Sequence, residues 1–158
     1  MEIERKFLIR RLPEDLEQYP FRLLEQGYLN TDPVVRVRKE DDDHYLTYKG
    51  KGFLAREEYN LPLNAEAYAH LIQKADGNII RKKRYRIPIE GTGLTIELDV
   101  FDAPFAPLIL AEVEFESIAQ AQAFLPPEWF GEDVTENREY SNSYLSRNGK
   151  PRGRTGWY

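Results

Sequence analysis

The chain has 158 residues, a formal net charge of −5 at pH 7 and no cysteine. Its length suits a single domain with a full hydrophobic core, and the negative balance excludes a nucleic-acid binder that works through bulk positive charge. The lack of cysteine excludes disulfides and cysteine zinc sites, and the presence of only two histidines excludes a histidine-rich metal site. Any metal must therefore be held by oxygen ligands, which magnesium, manganese and calcium prefer.

Cellular location is predicted from two features of the chain. No apolar run approaches the roughly 20 residues that a membrane span needs, and the N-terminus starts in a predicted strand rather than in a signal peptide. We therefore expect a cytoplasmic protein without a membrane partner. The sequence leaves the oligomeric state open, with a homodimer as one option.

The first eight residues form the most informative stretch of the sequence. Read as a strand, they place Glu2, Glu4 and Lys6 on one face and apolar side chains on the other. Two carboxylates at this spacing suit a hard divalent cation, and the following ammonium group suits an anion bound to that cation. The alternative interpretation is a half-buried strand with a solvated charged face.

Alternating polar and apolar side chains predict a meander of antiparallel strands along most of the chain. Gly27, inside the second strand, indicates a bend or a close approach of the backbone. Asn64 is a candidate cap for a covering helix over residues 65–76, and Ser117 for a shorter helix. The predicted strands cover residues 1–8, 22–30, 34–39, 45–49, 53–61, 80–87, 94–101 and 108–116.

The C-terminal part is predicted to contain a loop at residues 128–134 and a last helix that Thr135 caps. From Arg147 onward the chain is basic and lacks periodicity, which is typical of a mobile tail. We therefore expect one domain over residues 1–146 and a tail over residues 147–158.

Eight strands are enough for a sheet to close into a barrel. If the charged faces line the lumen, the apolar faces point outward and the amphipathic helices can cover them. The signs are also segregated, whereas a solvated face would intersperse them. Such a lumen is costly without a ligand and fits a metal-chelated polyphosphate. Acids cluster at Glu2, Glu4, Glu97, Asp99, Glu112, Glu114 and Glu116, and bases at Arg36, Arg38, Lys49, Lys82, Arg84 and Arg86.

These residues, in this order, resemble the CYTH superfamily, also called triphosphate tunnel metalloenzymes. The likeness covers roughly residues 1–146 and is greatest to the short bacterial members that hydrolyse inorganic triphosphate. It implies a mainly β fold with an eight-stranded antiparallel closed barrel, covering helices, and a C-terminal helix that can plug one mouth. It also implies a bound Mg²⁺ or Mn²⁺ ion. The motifs are Glu2-x-Glu4-x-Lys6, Gln26-Gly27-Tyr28, Arg36-x-Arg38, Lys49, Arg56-x-Glu58, Lys82-x-Arg84, Glu97-x-Asp99 and Glu112-x-Glu114.

The resemblance also implies roles for individual residues. Asn60 stands where many members carry a further acid, which leaves the ligand set on the fifth strand open. Tyr28 is a candidate for proton transfer, or an aromatic residue that shapes the tunnel. Metal ligands are expected at Glu2, Glu4 and Glu114, with Glu112 close by. Phosphate contacts are expected from Lys6, Arg36, Arg38, Lys49, Arg56, Lys82 and Arg84. The catalytic candidates are Tyr28, Glu58, Lys82 and Asp99.

The predicted function is metal-dependent hydrolysis of inorganic triphosphate, with a small polyanion as the partner and no nucleic acid. One alternative keeps the fold and changes the substrate to thiamine triphosphate, a nucleoside triphosphate, or ATP for cyclisation, as in class IV adenylate cyclases. A second alternative is a non-catalytic polyphosphate-binding module. No aromatic cage stands out in the sequence, which favours the bare polyanion.

Overall fold

The computed structural model describes residues 1–151, and one large sheet dominates that part of the chain. Every strand pairing in it is antiparallel. The strands are β1 (Glu2–Ile9), β2 (Phe21–Thr31), β3 (Val34–Glu40), β4 (Asp43–Lys49), β5 (Ala55–Arg56), β6 (Glu58–Pro62), β7 (Asp76–Ile89), β8 (Leu94–Phe101), β9 (Ile109–Glu114) and β10 (Phe130–Asp133). The helices are α1 (Ala65–Ile72), α2 (Ile118–Ala123) and α3 (Asn142–Asn148), with short 3₁₀ turns at Leu16–Gln18 and Arg138–Tyr140.

The spatial order of the strands is β10-β1-β9-β8-β7-β2-β3-β4-β6, and β5 pairs with β1. Only Glu57 separates β5 from β6, so one short segment contacts both ends of this series. Arg56 pairs with Glu2 of β1, and Glu58 pairs with Lys49 of β4. The prediction of a mainly antiparallel β fold is confirmed. The hydrogen-bonded ladder does not run continuously around the sheet, so a closed barrel is not confirmed.

Three local predictions were wrong. The single strand predicted over residues 53–61 is divided into β5 and β6, because its two halves pair with different strands. The predicted loop at residues 128–134 contains β10, which is too short to show alternation and pairs with β1. Thr135 does not cap a helix: its hydroxyl accepts the backbone N–H of Lys6 at 3.0 Å. Ser141 caps α3 instead, accepting from the N–H of Tyr144.

The covering helix α1 has the predicted cap, since Asn64 Oδ1 accepts from the N–H of Ala67 at 2.7 Å. The segment after the helix packs tightly on β2 at Gly27. A Cβ atom at this glycine would lie 2.7 Å from Ala75 Cβ and 2.8 Å from Ile72 Cδ1. Gly27 therefore provides the close backbone approach that the sequence indicated.

Two apolar clusters lie on opposite faces of the sheet. The outward cluster includes Phe7, Leu98 and Val113 and packs against Phe124 at the end of α2. The second cluster contains residues that share strand parity with the charged side chains, and the helix residue Leu145 packs among them. The inner face is therefore charged along part of its length and apolar where α3 covers it. The strand residues of the second cluster include Leu8, Tyr28, Val34, Ile80, Phe101 and Leu110.

At the C-terminus, α3 extends two residues beyond the predicted domain boundary and includes Arg147 and Asn148. Residues 152–158 of the predicted tail lie outside the described residues, so its mobility stays a prediction. Within residues 1–151, no helix combines the length and the apolar character that crossing a membrane requires.

Candidate active site

A cavity of about 370 Å³ lies on the inner face of the sheet. Most of the predicted site residues line it, although they come from eight different strands. Lys82 and Asp99 are the two that do not. Since successive strand residues point to opposite faces, each pair of residues at i and i+2 reaches the cavity together. The predicted residues in its wall are Glu2, Glu4, Lys6, Tyr28, Arg36, Arg38, Lys49, Arg56, Glu58, Arg84, Glu112 and Glu114.

The basic wall is built around two buried arginines of β3. Arg38 Nε donates to Gln26 Oε1 at 2.8 Å, and Arg36 Nη2 donates to Thr47 Oγ1 at 3.0 Å. The Nε atom of Arg36 is a buried donor without a partner in residues 1–151. Burial lowers the pKa of Arg36, and the neighbouring Arg38 lowers it further. These two cations therefore lie where an anion would stabilise both.

The acidic wall is formed by cross-strand pairs of β1 and β9. Glu4 lies opposite Glu114, and Lys6 lies opposite Glu112. Lys6 Nζ is 3.5 Å from Glu112 Oε1, which compensates the charge of that carboxylate. The Glu4 and Glu114 side chains make no hydrogen bond or ion pair with the rest of the described chain.

Crowding of the carboxylates changes their protonation. Burial, followed by repulsion from Glu112 and Glu2, raises the pKa of Glu4 to about 8. Burial and then Glu2 also raise the pKa of Glu114. A site in which acids retain protons near neutral pH is one in which a bound cation would be stabilised.

The pKa of Glu58 is lowered, in contrast to those of Glu4 and Glu114. Burial acts to raise its pKa, but a hydrogen bond with Glu2, the charge of Lys49 and a hydrogen bond with Asn60 outweigh it and hold the pKa at about 2. Lys49 Nζ lies 3.0 Å from Glu2 Oε1 and 3.3 Å from Glu58 Oε2. Arg56 Nε lies 3.6 Å from the same Glu2 oxygen. Lys49 and Arg56 are thus already engaged in ion pairs with Glu2 and Glu58.

Lys82 and Asp99 lie behind the cavity wall. Asp99 is fully buried, with Lys82 Nζ 2.6 Å from Oδ2 and Arg84 bound through both carboxylate oxygens. Burial lowers the pKa of Lys82 to about 7 despite Asp99, because Arg84 and Arg38 also repel the ammonium group. Asp99 therefore contacts Lys82 and Arg84 rather than the cavity.

The C-terminal segment supplies wall residues that sequence reasoning missed. Ser141, Asn142 and Ser143 line the cavity. Asn142 Oδ1 accepts from Lys82 Nζ at 3.1 Å, and the carbonyl oxygen of Tyr140 accepts from Lys6 Nζ at 3.1 Å. Serine and asparagine near a helix start are ordinary capping residues, so their sequence carries no signal for this role.

The acidic wall offers carboxylate oxygens as donors for a divalent metal ion. Among residues 1–151, no three histidine or carboxylate side chains lie close enough together to hold an ion. Glu2 and Glu112 are engaged with lysines, whereas Glu4 and Glu114 are not. The donors are all carboxylate oxygens, which is the chemistry that magnesium and manganese prefer. The residue types fit such an ion, and the two unpaired carboxylates are the positions at which it would bind first.

Comparison with known proteins gives consistent results. A family model described as a CYTH domain matches residues 1–147. A Nitrosomonas europaea protein named inorganic triphosphatase is 41% identical over 151 residues, which cover 92% of this chain and 96% of that protein. An Acetivibrio thermocellus protein of the same name is 34% identical over 157 residues, which cover 93% and 94% of the two chains.

Solved structures show the same relationship. A crystal structure of an inorganic triphosphatase matches with a TM-score of 0.68 and 38% identity, covering 92% of this chain and 94% of that one. A Hippeastrum protein, named as a candidate adenylyl cyclase with a dominant triphosphatase activity, matches with a TM-score of 0.61, covering 77% and 83%. Its identity is 16%, so it shows the shared fold alone.

Proposed function

The chain belongs to the CYTH domain family, and we propose that it hydrolyses inorganic triphosphate in this cavity. The family resemblance predicted from the sequence motifs is thereby confirmed. The observation that carries the proposal is the buried Arg36, whose Nε has no partner within residues 1–151 and whose neighbours include Arg38. A buried cation with a free donor, facing carboxylates across a cavity, is stabilised by a polyanion that also carries a metal.

The basic wall would bind the phosphate oxygens. Arginines suit this role because their planar donors match phosphate geometry, and Lys49 adds a mobile point charge. In the transition state, charge spreads over the transferred phosphoryl group, so fixed cations stabilise it without having to reorganise. Asp99 binds the Arg84 guanidinium on the side away from the cavity, and Lys82 binds Asp99 in turn, so both would act as positioning residues.

Glu4 and Glu114 would hold a divalent cation, Mg²⁺ or Mn²⁺, with Glu2 and Glu112 beside them. When bound, such an ion would supply positive charge that offsets the negative charge of the phosphate groups. Phosphate oxygens that compete for Lys49 would release Glu2 from its ion pair. In this proposal the carboxylates bind the metal ion, and the cationic side chains bind the phosphate groups of the substrate.

Two further residues have roles that their surroundings limit. Glu58, with a pKa of about 2, is a weak base and is better suited to orienting neighbouring groups than to accepting a proton. Tyr28 is buried, and its hydroxyl oxygen accepts from Gln26 Nε2 at 3.2 Å. We assign Tyr28 to shaping the cavity beside Arg36 and to proton transfer as a secondary role.

The charged lining of the cavity favours a bare polyanion over a nucleotide. The cavity volume is about 370 Å³, and charged side chains form most of its wall. We also propose that the segment joining β5 to β6 completes a tunnel around the substrate, since it already contacts both β1 and β4.

Phosphate release from triphosphate, pyrophosphate, ATP and thiamine triphosphate, measured with Mg²⁺, with Mn²⁺ and with chelator, tests the proposal. We expect release from triphosphate that requires the metal and little release from the nucleotide. Glu4→Gln should abolish turnover and retain triphosphate binding, whereas Glu14→Gln, at an exposed position, should match the unaltered protein. Binding of triphosphate without any metal-dependent release would instead indicate a polyphosphate-binding module.

A further inference from the structure

Thr47 and Asn60 connect Arg36 of the basic wall to the Glu58 carboxylate through three hydrogen bonds. Arg36 Nη2 donates to Thr47 Oγ1 at 3.0 Å, Thr47 Oγ1 donates to Asn60 Oδ1 at 2.6 Å, and Asn60 Nδ2 donates to Glu58 Oε1 at 3.2 Å. Arg36 and Thr47 are direct cross-strand partners, as are Thr47 and Asn60. The register of β3, β4 and β6 therefore places these groups in a row.

In each of these three hydrogen bonds, the chemistry of the groups fixes which one donates and which one accepts. A guanidinium group has donors and no acceptor, so the Thr47 hydroxyl must accept from Arg36. The single hydroxyl proton is then available for Asn60 Oδ1, which turns the amide –NH₂ group toward Glu58. An ionised carboxylate only accepts, so Glu58 completes the row as its last acceptor.

This arrangement explains the state of Arg36. Thr47 is fully buried and fixes one end of the guanidinium through Nη2. Arg36 Nε is left as a buried donor without a partner in residues 1–151. A fixed guanidinium with a free donor is preorganised for a phosphate oxygen, since little side-chain freedom remains to be lost on binding.

We propose that Thr47 and Asn60 are positioning residues for the triphosphatase reaction. Thr47 orients the Arg36 guanidinium toward phosphate, and Asn60 orients the Glu58 carboxylate through its amide hydrogen bond. The inference rests on the proposed function, because it concerns residues around the bound triphosphate. An aspartate at position 60 would accept from Thr47 but would have no proton to donate to Glu58. The amide is therefore the group that connects the Thr47 hydroxyl to the Glu58 carboxylate.

Three variants separate the two halves of the row. Thr47→Val removes the hydroxyl at nearly constant volume, Thr47→Ser restores it, and Asn60→Leu removes the amide. Thr31→Val is the matched control, because Thr31 Oγ1 also accepts from an arginine, Arg147 Nη1, at 3.3 Å. Affinity for triphosphate is measured by calorimetry in chelator, and kcat and KM are measured with Mg²⁺. The melting temperature reports on folding.

We expect Thr47→Val to weaken triphosphate binding in chelator about tenfold, with Thr47→Ser close to the unaltered protein. Asn60→Leu should change that affinity by less than about twofold and lower kcat about tenfold, because it removes the hydrogen bond that orients Glu58 and leaves the bond between Arg36 and Thr47 in place. Adding Asn60→Leu to Thr47→Val should lower kcat by less than Asn60→Leu does alone, because Thr47→Val already removes the hydrogen bond that orients the Asn60 amide.

Several outcomes would overturn the proposal. They are failure of serine to restore binding, an unchanged kcat in Asn60→Leu, and losses in kcat that multiply in the double variant. A lower melting temperature with unaltered affinity, kcat and KM would indicate a purely structural role. If the unaltered protein binds triphosphate but releases no phosphate, the proposed function fails. The affinity series in chelator would still test Thr47 in that case.

Discussion

Arg84 and Asp99 are direct cross-strand partners, and they form a two-bonded ion pair with Nε–Oδ1 and Nη2–Oδ2 distances of 2.7 and 2.9 Å. Asp99 is fully buried and also contacts Lys82. The pair fixes the Arg84 guanidinium from the side away from the cavity. If Arg84 binds phosphate as proposed, the Asp99 carboxylate influences substrate binding without contacting the substrate.

Asp99→Asn should destabilise the fold strongly, because it removes the buried carboxylate charge that both Lys82 and Arg84 contact. Loss of one partner of a buried pair typically costs about 3–5 kcal/mol. Urea unfolding measures this change, and KM for triphosphate should rise as Arg84 loses its orientation. Asp43→Asn, which breaks an exposed pair with Arg22, is the control and should cost less than about 1 kcal/mol. Equal costs for the two variants would contradict this account of Asp99.

The raised pKa of Glu4 predicts how stability depends on pH in the absence of metal. Unfolded, this carboxyl ionises near its ordinary value of 4.5; folded, it keeps its proton up to about 8. Between these values the folded state binds more protons at Glu4, so the contribution of Glu4 to the free energy of unfolding falls as pH rises, by at most about 1.4 kcal/mol per pH unit. Lys82, whose pKa is lowered to about 7, acts in the opposite direction above pH 7. Unfolding curves measured from pH 5 to 8 test this.

Glu4→Gln cannot ionise and should therefore have a flatter stability profile over the same range. The exposed variant Glu14→Gln should keep the slope of the unaltered protein. Added Mg²⁺ should also raise the melting temperature more at pH 8 than at pH 6, because the metal competes with the proton on Glu4. A pH-independent metal effect would show that Glu4 is not a ligand.

Arg36→Lys should reduce triphosphate affinity, although it keeps the positive charge. Lysine cannot reproduce the fork that contacts Thr47 on one side and leaves Nε for phosphate on the other. We expect KM to rise about tenfold or more, with a smaller change in kcat. Arg22→Lys, at an exposed arginine of β2, is the control and should leave both constants unaltered. A normal KM in Arg36→Lys would remove the main support for the proposed function.

Gly27→Ala should destabilise the protein by about 1–3 kcal/mol, because the added Cβ meets Ala75 and Ile72 at distances below 3 Å. Either β2 or the end of the covering helix must move to relieve the contact. Gly50→Ala is a suitable control, since its nearest new neighbour is Glu57 Cβ at 3.7 Å, and it should change stability by less than about 0.5 kcal/mol. Thermal unfolding of both variants measures the difference.

Strand parity made most of the cavity wall predictable. Glu2, Glu4 and Lys6 share a face because side chains alternate along a strand, and that alternation is local and independent of the rest of the fold. The same rule gave Arg36 and Arg38. Asp99 has the correct parity, yet it lies behind the cavity. Parity fixes the face of a side chain, whereas depth along the lumen depends on strand tilt and register.

The C-terminal errors have a different cause. Thr135 satisfied the local rule for a helix cap, but its hydroxyl binds the N–H of Lys6, 129 residues away in the chain. A cap preference of about 1 kcal/mol is easily outweighed when a buried backbone donor needs a partner. Ser141, Asn142 and Ser143 reach the cavity for a similar reason, because α3 packs on β7. None of these contacts is visible within a short sequence window.

The sequence by itself determined which side chains share a face, the separation of acids from bases, and membership of the CYTH domain family, because each is carried by residue type and short-range spacing. Only the tertiary structure decided which cation compensates which carboxylate. It left Glu4 and Glu114 without an ion-pair partner in the described part of the chain, paired Glu2 with Lys49, and buried Asp99 behind Arg84. Charge pairing depends on distances of a few ångströms between distant parts of the chain, and strand register and closure set those distances.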